Sequence, residues 1–150
     1  RRTSAKVIVA SIVGTLLFIA ATDGLTWMLD RDVVPEFMIE VYSSARIVPL
    51  FWLALVVAAP LLEEIVFRGF LHQGLIHTRL GLPGPAIITS FLWASLHLQY
   101  DLYFITIIFV GGTLLSAVRH ATGSILPCIL IHGLMNFVAT LEVAWVVASE

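Results

Sequence analysis

Charge is what this sequence has least of. Lys, Arg, Asp and Glu together make up 12% of its 150 residues, against a hydrophobic share of 59%. A water-soluble domain carries about 25% charged residues, so the deficit excludes a surface built for water and requires one that faces lipid. Cysteine is almost absent: Cys128 alone excludes an internal disulfide and a multi-cysteine metal site. It sits in an apolar run, where it reads as a small packed side chain. The net charge of −2 is uninformative by itself, but no basic patch points to nucleic acid as a partner and no run of like charge points to a tail. There is also no His-Glu-x-x-His zinc motif, no Gly-x-Ser-x-Gly elbow and no glycine-rich phosphate loop, which excludes serine-triad and nucleotide chemistry of those kinds.

What the chain does have is long apolar segments. About 20 apolar residues span a bilayer. Segments 7–29, 47–76, 102–118 and 125–148 meet or approach that length, and 85–98 is a shorter one. Residues 1–29 have the basic start of a signal peptide, but the apolar run outlasts an h-region of about 7–15 residues, so it is read as a spanning helix. Between the first two segments, Val34, Phe37, Met38, Val41 and Tyr42 make one helical stripe, the pattern of a helix lying in the membrane interface. The run Gly81-Leu82-Pro83-Gly84-Pro85 is a turn whose prolines suit the start of the next helix. The expected fold class is all-α: a polytopic transmembrane bundle of about five spanning helices plus an interfacial helix. It forms a single structural unit, with residues 1–46 as an N-terminal helix and interfacial segment and 47–150 as the catalytic part.

Lys and Arg distribution predicts orientation. With the N-terminus inside, Arg1, Arg2, Lys6, Arg68, Arg79 and Arg119 fall on the cytoplasmic side, and only Arg31 and Arg46 fall outside. The localisation expected is a multi-pass protein of a prokaryotic inner or plasma membrane.

Polar residues at bilayer depth cost at least ~2.5–3.5 kcal/mol each and so need partners or a function. Three clusters stand out. In Glu63-Glu64-Ile65-Val66-Phe67-Arg68, Glu64 and Arg68 are four apart and share a helix face, so they can pair. Glu63 points about 100° away from Glu64 and has no partner in its own helix. A carboxylate stripped of water is how a general base working near neutral pH is made; the competing reading puts both acids at a helix end in water. Trp93 and His97, four apart, pack on one face, and His97 alone could equally be structural. His132 and Asn136, again four apart, point two hydrogen-bonding side chains the same way, either into a polar cavity or into an interhelical bond that only holds the bundle. At 1.5 Å per residue, a second helix running to Ile76 lets all four meet near mid-membrane, in a site open to the cytoplasm. His72, His77 and His120 read as interfacial. Gly111 and Gly112 read as sites of close helix packing.

Glu-Glu-x-x-x-Arg, then aromatic-x-x-x-His, then His-x-x-x-Asn, in that order on separate membrane helices, resembles the CPBP family. These are the CAAX prenyl endopeptidases and bacteriocin-processing enzymes, also called the Abi family. Phe67-Arg68-Gly69 also fits. The resemblance covers residues 50–147, about two thirds of the chain; Trp93 stands where the family usually has Phe. The family's larger helix count implies that this chain is truncated, as does its start at Arg1.

The resemblance implies an intramembrane glutamate endopeptidase acting on membrane-anchored peptides or proteins. Glu63 and His97 would form the base system, and His132 and Asn136 would donate to the oxyanion. Glu64, Arg68 and Trp93 would support them, with no cofactor. Three other readings stay open. Glu63, His97 and His132 make a His₂Glu set of the kind that binds catalytic zinc; a membrane adaptor or immunity protein would have no catalysis; and membrane Glu and His also build proton relays in transporters, although neither inverted repeats nor broken helices are evident.

Overall fold

The structure is a computed structural model, and it describes residues 4–79, 81 and 83–149. Arg1, Arg2 and Leu82, used above for orientation and for the turn, lie outside the described residues. The elements are α1 (Ala5–Met28), α2 (Glu36–Ser44), α3 (Val48–Leu75), α4 (Pro83–Ala94), α5 (Leu102–Thr122) and α6 (Leu126–Ser149). There is no strand among the described residues. Four helices, α1, α3, α5 and α6, are long and apolar enough to cross a membrane. The fifth apolar segment, α4, has 12 residues and at 1.5 Å each reaches only about 18 Å.

The segment expected over 85–98 ends as a helix at Ala94 because the chain tightens there. The backbone N–H groups of Leu96 and His97 bond carbonyls three residues back. The Trp93 carbonyl also receives the His97 ring nitrogen Nδ1 at 2.9 Å. His97 therefore sits in the turn after the helix, not within it.

Small residues set the helix spacing. A Cβ on Gly112 of α5 would lie 2.9 Å from the Ser90 Cβ and 3.0 Å from the Trp93 ring, so glycine is what lets α4 lie against α5. A Cβ on Gly133 of α6 would lie 2.9 Å from the Val56 carbonyl oxygen of α3. Polar hydroxyls are hidden by bonding their own helix four residues back, as in Thr15 to Ser11, Thr26 to Thr22 and Thr89 to Pro85. Phe67, Trp93, Leu115, Val118, Cys128 and Ile131 form the buried core. The Cys128 thiol points at the Leu115 carbonyl, as a packed side chain does.

α3 is widened twice, over Ala54–Ala58 and Ile65–Leu71, where its backbone bonds run five residues apart rather than four. Pro60 accounts for the first. It has no N–H, and its ring crowds the carbonyl four residues earlier, at Val56. In the wider register the donor for the Leu55 carbonyl would be residue 60, again the proline, so Leu55 has no backbone partner there. α2 lies across the opening of the bundle against α6. Tyr42 of α2 meets Phe51 of α3 edge to face at 5.7 Å. On the apolar stripe of α2, Phe37, Met38 and Val41 line a cavity of the bundle.

Candidate active site

α3 carries Glu63 and Glu64 side by side, and the helix turns them toward different partners. Glu64 and Arg68 pair at 2.9 Å, both fully buried. The other terminal nitrogen of Arg68 donates to the Gly112 carbonyl at 3.0 Å, and the guanidinium lies 4.8 Å from the Trp93 ring centre. His132 reaches the same Glu64 oxygen with Nδ1 at 3.0 Å. A carboxylate held by Arg accepts, so this Nδ1 carries a proton. Nε2 of His132 then faces Glu63, 3.9 Å from its Oε2.

Glu63, about 29% exposed, takes its hydrogen bond from α4: the Trp93 indole N–H donates to Oε2 at 2.5 Å. Trp93 also stands edge to face against His97 at 5.3 Å and His132 at 5.1 Å. The carbonyl that holds His97 Nδ1 can only accept. Nδ1 is therefore the protonated nitrogen, and the His97 Nε2 lone pair is left free. Asn136, one turn beyond His132, donates to the Leu55 carbonyl at 2.8 Å, supplying the partner that Pro60 cannot. The remaining amide hydrogen of Asn136 is uncommitted.

Glu63, Trp93, His97, His132 and Asn136 all line one cavity of about 500 Å³. Among the described residues, no group of three His, Cys, Asp or Glu side chains is set to hold a metal ion. Asp23 of α1 and Glu142 of α6 also line the cavity. They are acids inside apolar runs, a signal that could have been read from the sequence. The Trp93-to-Glu63 bond and the ring of Tyr100 beside His97 left no such signal. His72, expected at the interface, is only 3% exposed; its position four residues after Arg68 brings it onto the packed face of α3.

The cavity occupies the half of the bundle where α1 and α6 end and where α3 and α5 begin, with Asp23, Glu142, Leu55 and Phe104 on its walls. A cytoplasmic N-terminus for α1 and a site open to the cytoplasm therefore exclude each other. The Lys and Arg count also weakens, because Arg68 is buried on Glu64 and Arg119 donates to the Arg68 carbonyl at 3.2 Å. Neither is a free loop charge.

The described chain is thus a polytopic helical bundle that brings a carboxylate, two imidazoles and an amide to one cavity. The family model described as type II CAAX prenyl endopeptidase Rce1-like matches residues 45–138, and the chain belongs to that family of CAAX-type membrane endopeptidases. No curated protein and no solved structure matches the chain.

Proposed function

We propose that this protein is a glutamate-dependent intramembrane endopeptidase that hydrolyses a peptide bond of a membrane-anchored substrate without a metal. One observation carries the reading: Glu63, His97, His132 and Asn136 share a single cavity, and Glu63 is held by Trp93 on one side and faces His132 on the other.

Glu63 takes a proton from a bound water as the oxygen adds to the substrate carbonyl carbon, and the free Nε2 of His97 orients that water. The carbonyl oxygen becomes an oxyanion. Asn136 donates to it with its spare amide hydrogen, and His132 does so from Nε2 as the imidazolium. Collapse breaks the C–N bond. The proton held by Glu63 passes to the departing amine, leaving a carboxylic acid on one fragment and an amine on the other. Glu64 and Arg68 hold His132 and Trp93 in place from beneath. Tying Asn136 to Leu55 fixes its amide plane and makes it a donor, not a metal ligand of the His and carboxylate type.

The substrate class is a peptide tethered at the membrane, either a CAAX-type C-terminus or a bacteriocin leader. The short loops fit a prokaryotic plasma-membrane enzyme, for which an unprenylated peptide is the expected substrate. The mouth faces the cytoplasm, which sets Ser4 on the opposite side of the membrane. The test is hydrolysis by the purified chain of two internally quenched peptides, one ending in a farnesylated Cys-aliphatic-aliphatic-X sequence and one its unprenylated twin. Cleavage that resists 1,10-phenanthroline and disappears in Glu63→Gln supports the mechanism. Cleavage that chelator abolishes and zinc restores overturns the metal-free reading, and cleavage of the farnesylated peptide alone overturns the substrate preference.

A further inference from the structure

The catalytic cavity has a neighbour. A second, more polar cavity of about 580 Å³ lies outside it, lined by Asp30, Arg31, Asp32, Glu40 and Asp101 among others. Pro35, Phe37, Gln99, Tyr100 and Phe104 line both spaces and so form the wall between them. Two of its rings touch each other. Phe37 comes from α2 and Tyr100 from the turn after α4, and they meet edge to face with centroids 5.6 Å apart.

The same Tyr100 ring lies against the imidazole of His97, with centroids 6.2 Å apart and planes 24° from parallel. Its backbone N–H donates to the His97 carbonyl at 3.1 Å. His97 is therefore clamped between Trp93 on one side and Tyr100 on the other, with its Nδ1 bond as the hinge. Outside the wall, Arg31 pairs with Asp101 and fastens this turn to the end of α1.

We propose, on the basis of the hydrolytic reading above, that Tyr100 is the positioning residue for His97 and, with Phe37, the movable leaf of a door. The door admits water and the polar chain of a peptide from the outer vestibule into the catalytic cavity. Hydrolysis consumes one water per bond, and the polar vestibule that adjoins the largely apolar catalytic cavity is the route proposed for that water. A single edge-to-face aromatic contact is weak enough to open on demand. α2, which carries Phe37, is a short helix of nine residues. Because Tyr100 touches both Phe37 and His97, opening the door loosens His97 and closing it restores the nitrogen that orients the water, so access and competence are coupled.

The door can be tested without any proteolysis. Cys128 is fully buried, so the chain offers little background thiol chemistry. In the full chain, a cysteine introduced as Glu63→Cys is labelled with a small cationic methanethiosulfonate. Adding Tyr100→Ala or Phe37→Ala is expected to raise the labelling rate about tenfold, the scale of one lost aromatic contact, whereas Tyr100→Phe keeps the ring and the slow rate. Unchanged rates in both alanine variants overturn the door. Phe37→Ala asks the same question from another element should Tyr100→Ala fail to fold.

Positioning is tested by hydrolysis of the quenched peptide. Tyr100→Ala is expected to lower kcat about 10²-fold with KM nearly constant, the cost of a misplaced catalytic group, and Tyr100→Phe to restore it. A Phe variant as weak as the Ala variant overturns the positioning role. Full activity in His97→Ala would remove the water-orienting role of His97 and the positioning role with it, leaving the door to be judged by labelling alone.

Discussion

Trp93 reaches from α4 to α3 and sets its indole N–H 2.5 Å from the Glu63 carboxylate, while the face of the same ring lies under the Arg68 guanidinium. One side chain thus contacts both the acid proposed to activate water and the cation that neutralises its neighbour. It also touches both imidazoles of the site.

Glu63→Gln keeps a side-chain oxygen for the Trp93 N–H and removes the base. Hydrolysis should fall by about 10²–10⁴-fold, to background, with the unfolding temperature within about 3 °C of the parent. Glu63→Ala should lose activity equally and also leave the indole N–H unpaired, at a cost of ~1–3 kcal/mol. Peptide cleavage persisting in either variant would rule out the mechanism.

Arg68→Ala strands the buried Glu64 carboxylate. A loss of ~3–5 kcal/mol is expected for one partner removed from a buried pair, which thermal unfolding in detergent would report as a drop of about 10 °C. Arg68→Lys should not restore it. The two terminal guanidinium nitrogens serve different acceptors, Glu64 and the Gly112 carbonyl, and a single ammonium cannot span both. A Lys variant as stable as the parent would contradict this account.

Trp93→Phe keeps an aromatic ring near Arg68 but loses the indole N–H together with the pyrrole half of the ring. Since a hydrogen bond to a charged group contributes ~1.5–3 kcal/mol, hydrolysis should fall by roughly tenfold to a hundredfold and remain measurable. Trp93→Ala removes the platform for Arg68, His97 and His132 together and should be inactive. Equal activities for the two variants would show that the ring does not organise the site.

Gly133→Ala would push a methyl group into the Val56 carbonyl, 2.9 Å from where its Cβ must sit. The backbone cannot yield as a flexible side chain would, so α6 should shift from α3 at a cost of ~1–3 kcal/mol. That shift carries His132 from Glu63 and Asn136 from Leu55, so activity should fall further than stability. Gly14→Ala, where nothing lies within 4 Å, is the matched control and should leave both unchanged.

Relations within one helix were legible beforehand. The apolar runs marked the spanning helices to within a few residues. The spacing of Glu64 and Arg68 announced their ion pair, and the ordered trio of motifs pointed to the family. These follow from the fixed period of a helix and the cost of charge in lipid, which act along the chain.

Relations between helices were not legible. That Trp93 would donate to Glu63, that Asn136 would fill the carbonyl orphaned by Pro60, and that Tyr100 would lie on His97 all depend on how closely α3, α4 and α6 approach and at what register. Those quantities are set by glycines at the contacts and by a widened turn of α3, and no periodicity records them. The end of the bundle at which the cavity opens was decided in the same way. An acid's depth can be counted in residues from a helix end, but the open side depends on which neighbours pack over it, and here α5 and α6 seal one half while α2 only lies across the other.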